Sequence, residues 1–76
     1  MKKDKIKVII TFQSMSDAIY VEKILKAEKV KGRLIPVPRK ISSGCGIAWC
    51  SDIELKEGII KIIGQNKANI GEIFEM

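Results

Sequence analysis

An α+β fold is what the hydrophobic spacing of this chain predicts, and three observations point to it. Residues 5–12 alternate with a period of two, which is a strand pattern. Two later segments, about 15–29 and 54–65, repeat apolar residues at helical spacing. Between them lie two extended stretches, the first carrying Pro36 with Pro38 just beyond it.

Lys5 to Phe12 sets Ile6, Val8, Ile10 and Phe12 against Lys5, Lys7, Ile9 and Thr11. One face is strongly apolar, and Ile9 on the other face marks a central strand. Ser14 or Ser16 offers a helix N-cap, with Asp17 in the first turn, where the helix dipole favours negative charge. Ala18, Val21, Ile24, Leu25 and the stem of Glu28 then follow helical spacing to about Lys29. Gly32 lies just beyond, where a left-handed residue or tight link is expected. Arg33 to Val37 is extended, but proline cannot donate to a ladder, so this strand belongs on a sheet edge. Gly46 to Cys50 reads as a short third strand. Ser51 or Asp52 then caps a second helix, Glu54 to about Gln65, with Leu55, Ile59, Ile62 and Ile63 inward. Gly58 inside it costs about 1 kcal/mol against alanine, and close packing on the sheet would account for it. Gly64 and Asn66 weaken the helix end, and Ile70 to Met76 supplies a last strand through Ile70, Ile73 and Phe74.

The order β-α-β-β-α-β folds most simply as a ferredoxin-like unit, a four-stranded antiparallel sheet with two helices on one face. Right-handed crossovers put the first and third strands in the centre and the second and fourth at the edges. Ile9 and one set from Ile35, Val37, Ile47 and Trp49 then face away from the helices. An apolar patch there predicts self-association as a homodimer. Trp49 reads as core or interface filler rather than a ligand platform.

Composition narrows the function. Seventy-six residues are expected to form one domain, 1–76, around one core. Hydrophobic residues at 46% and charged residues at 30% fit a globular chain. No apolar run approaches the roughly 20 residues that span a bilayer, and Met1 to Lys7 lacks the apolar region of a signal peptide. The expected location is therefore cytoplasmic, with no membrane partner and with reduced cysteines. The net charge of +5 comes mostly from lysines scattered over every element, the pattern of a solvated surface. Phe12, Tyr20, Trp49 and Phe74 are spread widely, without the aromatic pair on one strand that RNA stacking uses, so nucleic acid is not an expected partner. With no histidine there is no Cys–His or Ser–His nucleophile pair and no imidazole ligand. Two cysteines cannot complete a four-ligand zinc site in one chain, although a dimer could pool four. No cofactor or metal is expected. Asp52, Glu54 and Glu57 fall early in the second helix, where its dipole accounts for them, and Glu72 and Glu75 are expected to face water. Gly44-x-Gly46 lacks the third glycine of a dinucleotide fingerprint, and no Walker sequence is present.

The chemistry-bearing stretch is Leu34-Ile-Pro-Val-Pro-Arg-Lys-Ile-Ser-Ser-Gly-Cys-Gly46. Cys45 stands between Gly44 and Gly46, which leave the backbone free to turn and the sulfur uncrowded. Arg39 and Lys40 are close enough in the chain to fold back toward a thiolate. Backbone N–H groups of the 44–46 turn could form a concavity for negative sulfur. The plainer reading is a small apolar cysteine in a turn beside solvated cations. Cys45 and Cys50 differ in strand parity, and five extended residues span about 16–17 Å against the roughly 7 Å limit for bridged Cα atoms. A disulfide between them needs the turn to fold back.

The opening strand to Phe12, Ser-x-Ser-Asp-Ala (14–18), Glu22, Leu25, Gly-Arg-Leu-Ile-Pro-Val-Pro-Arg (32–39) and Ser-Ser-Gly-Cys-Gly-Ile-Ala (42–48) together resemble the selenium/sulfur carrier-like family over nearly the whole chain. The resemblance implies a small cytosolic domain that carries sulfur or selenium on a cysteine, between donor and acceptor proteins. It places the motif cysteine on Cys45, the following glycine on Gly46 and the Pro-Arg pair on Pro38 and Arg39. Cys50 stands where the family often has a basic or other residue, so no shared role carries over to it. Two expectations follow. One is a carrier, rather than a turnover enzyme, that holds a persulfide or perselenide on Cys45. The other is a regulatory or assembly module that binds a protein or small anion through the 39–46 turn and the open sheet face. A thiol–disulfide switch of Cys45 and Cys50 is a third and weaker reading.

Overall fold

The alternation in the first strand and the two helical periods sort the apolar side chains onto opposite sides of one sheet. A computed structural model describes residues 6–41 and 45–76; Lys5 of the expected first strand lies outside them. The elements are β1 (Lys7–Thr11), α1 (Met15–Ala27), β2 (Arg33–Pro36), β3 (Ile47–Asp52), a 3-10 turn (Ile53–Leu55), α2 (Lys56–Gln65) and β4 (Ile73–Glu75). The sheet runs β2-β3-β1-β4, and every neighbouring pair is antiparallel. The first and third strands are therefore central, and the proline-bearing β2 is an edge, as expected from the missing N–H. The expected α+β, ferredoxin-like arrangement is the one observed.

Val8, Ile10 and Trp49 form the sheet side of the main core, beneath Ala18, Val21 and Leu25 of α1 and Ile59 and Ile63 of α2. Both helices thus cover one face. Ile9, Ala48 and Ile41 make a second, smaller cluster on the other face, flanked by Ile35, Val37, Cys50 and Phe74. Of the four residues considered for that face, Ile35 and Val37 lie on it, and Trp49 turns to the helices.

Helix α1 starts at Ser14, whose hydroxyl accepts the Asp17 N–H at 3.2 Å. Lys29 takes the left-handed conformation at its end, at φ 62°, so of the two readings of Gly32 the left-handed one fails. Val30 N–H reaches the Leu25 carbonyl and Lys29 N–H the Lys26 carbonyl, both at 2.9 Å, which is a Schellman closure. Helix α2 ends the same way, with Lys67 at φ 52° and Ala68 N–H on the Ile63 carbonyl. Gly32 serves close approach instead. A Cβ there would stand 2.6 Å from the Trp49 ring, 2.2 Å from Ser51 Oγ and 2.7 Å from the Cys50 carbonyl oxygen.

The entry to α2 also differs. Neither Ser51 nor Asp52 caps it with a side chain. Ser51 is buried in β3, accepts the Trp49 indole N–H at 2.6 Å and donates to the Lys31 carbonyl at 2.7 Å. The Asp52 carboxylate pairs instead with Lys7 at 2.5 Å across β1 and β3. The chain enters α2 through the 3-10 turn, which carries Glu54. Gly58 is exposed with open space where a Cβ would sit, so packing on the sheet does not account for it. A Lys56–Glu75 ion pair ties α2 to β4.

Candidate functional site

The connection from β2 to β3 is where the sequence concentrates its chemistry. Val37 N–H donates to the Gly46 carbonyl at 3.0 Å, which pinches the connection shut at its base. Ile41 N–H reaches the Pro38 carbonyl at 2.9 Å, so 38–41 is a tight turn with Arg39 and Lys40 at its exposed tip. Ile41 then folds back over Ile9 and Ala48 on the open face. Ile41 is only 7% exposed.

Cys45 follows on the other side of the sheet. It is half-buried and packs against the helix-face core, and its Sγ lies 3.3 Å from the Ile47 carbonyl, to which the thiol donates. That bond needs the thiol proton, so chemistry at this sulfur begins with Sγ leaving the carbonyl. Gly46 takes φ 78°, a left-handed conformation that costs other residues roughly 1 kcal/mol or more. Among the described residues, nothing beyond the adjoining Cys45 and Ile47 lies within 4 Å of a Cβ built there.

Of the residues singled out from sequence, Cys45 and Gly46 are adjacent in this turn, and Arg39 and Lys40 form the tip of the preceding one. Among the described residues, neither Arg39 nor Lys40 makes a hydrogen bond or ion pair. Gly44 lies outside the described residues, and so does that half of the expected anion concavity. Cys45 and Cys50 are both free thiols, and they pack against the clusters on opposite faces. Strand parity had separated them, and the fold keeps them apart. What sequence reasoning missed is Ile41. Its place between two turns carries no period, and only its burial shows that the connection wraps over the sheet.

The sequence pattern of the family described as "Putative Se/S carrier protein-like" matches residues 7–75. The chain belongs to this family. The match takes in every element of the sheet and both helices, with the 38–46 connection in its middle. No curated protein and no solved structure matches the chain significantly. Among the described residues no helix is long and apolar enough to cross a membrane, and no group of three His, Cys, Asp or Glu side chains could hold a metal ion.

Proposed function

We propose that this Se/S carrier-family protein holds sulfur or selenium on Cys45 as a persulfide or perselenide and passes it between partner proteins. The observation that carries the reading is the half-buried Cys45 on the Gly46 turn, at the centre of the family match. In the loading step the Cys45 thiolate attacks the outer chalcogen of a donor persulfide or perselenide. A bond from Cys45 sulfur to that atom forms, the donor's bond to it breaks, and the donor cysteine leaves as a thiolate. The proton of Cys45 passes to water. Unloading is the same exchange with an acceptor thiolate. Neither step asks for a histidine, a metal or a redox cofactor, which suits a chain that has no imidazole.

Arg39 and Lys40, exposed at the neighbouring tip, supply positive charge to an anionic donor site on a partner. The open face, with Ile35, Val37 and Phe74 half-buried around Ile41, is the surface for a second copy. Intact-mass measurement after incubation with a cysteine desulfurase and cysteine tests the carrier role. Growth by one sulfur atom is expected, absent in Cys45→Ala. No adduct from a desulfurase supplied with cysteine or with selenocysteine overturns it. Retained function in Cys45→Ser would favour the assembly-module reading instead.

A further inference from the structure

Cys50 lies on the open face, directly between Arg33 of β2 and Ile9 of β1 in the register. With Lys7, Lys31, Gly32, Arg33, Ser51 and Asp52 it lines an open groove of about 320 Å³, near the lower end of small-ligand sites. Among the described residues, three cations and one carboxylate face this space. Lys7 and Asp52 pair with each other, whereas Lys31 and Arg33 are exposed and form no ion pair among the described residues. The groove is therefore positive, with a half-buried sulfur in its wall. The Lys7 ammonium is held above its ordinary value chiefly by its hydrogen bond to Asp52.

We propose that this groove is a second thiol site, which binds a small carboxylate-bearing disulfide and exchanges with it at Cys50. Carboxylates suit the site because a guanidinium fork donates two parallel hydrogen bonds to their oxygens, with Lys31 adding a second charge. In the exchange, the Cys50 thiolate attacks one sulfur of the bound RS–SR. A Cys50–SR bond forms, the RS–SR bond breaks, and RS⁻ departs with the electron pair; the Cys50 proton goes to water. Cys50 is oxidised and the departing sulfur reduced, so the disulfide itself is the oxidant. A second thiol reverses the step. The site is independent of the role of Cys45, which lies on the other face.

Three disulfides of similar size and different charge test this on the full chain: dithiodipropionate (dianion), bis(2-hydroxyethyl) disulfide (neutral) and cystamine (dication). Adduct formation at Cys50 is followed by peptide mass, apart from Cys45, and each rate is divided by that of the urea-unfolded chain. The dianion is expected to react about tenfold faster than the neutral reagent and the dication more slowly still, in line with charge-lined clefts. The preference should shrink toward unity in 0.5 M salt and fall several-fold in Arg33→Gln, an exposed position, with the fold of the variant checked by circular dichroism. Lys31→Gln should lower it as well. Equal normalised rates, a preference untouched by salt or by Arg33→Gln, or a Cys50 that reacts only when unfolded overturns the proposal.

Discussion

The two faces of the sheet are built on different terms. The helix-covered face is dense: Trp49, Ile10, Val8 and Ile59 are fully buried, and the backbone of Gly32 presses on the Trp49 ring. On the open face, among the described residues, the loop side chain Ile41 packs over Ile9 and Ala48, with an ion pair and a cation-lined groove alongside. Burial at about 25 cal/mol per Å² of apolar surface therefore accumulates on the first face. The second is left accessible, and its cysteine lies among charges. Cys45 stands at the rim between the two, packed against the first but carried by the loop that covers the second. The lesson is a division of labour, in which one face supplies stability, and the chemistry proposed for the chain falls on the rim and the other face.

Substitutions can break that comparison. The largest effect is expected at Gly32→Ala, where a Cβ meets Ser51, Trp49 and backbone together, and a chemical-denaturation series should show a loss of about 3 kcal/mol, the upper end for overpacking. A loss below about 1 kcal/mol would mean the helix face yields more readily than its burial implies. Next comes Ile41→Ala. A buried isoleucine in a dense core costs about 2–5 kcal/mol on truncation, but this one lies in a loop that can settle over the gap, so about 1–2 kcal/mol is expected. A cost as large as that of Ile59→Ala would put the two faces on equal terms.

The smallest effect concerns Lys7. Its folded-state pKa is raised above 10.5, chiefly by the hydrogen bond to Asp52. Stability from that pair is therefore fully present below the unfolded pKa and is lost as pH rises through the folded one. The melting-temperature difference between wild type and Lys7→Gln should be constant from pH 8 to 10 and shrink above that. Because both partners are substantially exposed, the difference is small throughout. A difference that grows with alkalinity would reverse the sign and remove Asp52 as its cause.

Much of the fold was legible in the chain, for reasons that lie in particular residues. Period two in residues 7–11 and helical spacing in 15–27 and 56–65 report which positions share a side, and local sterics alone impose those periods. Pro36 announced an edge because it lacks a donor. The left-handed residues that end the helices were not legible, because tertiary contact, Val30 and Ala68 packing against the core, drives Lys29 and Lys67 into a conformation that lysine does not favour. Asp52 looked like a cap for the same kind of reason. Its position precedes a helix, yet the register sets Lys7 opposite it, and the charge pair displaces the cap. At the candidate site, Cys45 and the Gly46 turn were evident from residue types, but the groove around Cys50 was not, since its walls come from three separate segments of the chain.

The amino-acid order by itself determined the succession of strands and helices, the edge position of the proline-bearing strand and the family's cysteine motif, because each depends on neighbours within a few positions. Only the tertiary structure decided which side of the sheet each cysteine occupies, what covers the open face and which cations gather around Cys50. Those depend on strand register, and register is set by pairing between residues up to 67 positions apart, such as Val8 with Glu75, which no local pattern encodes.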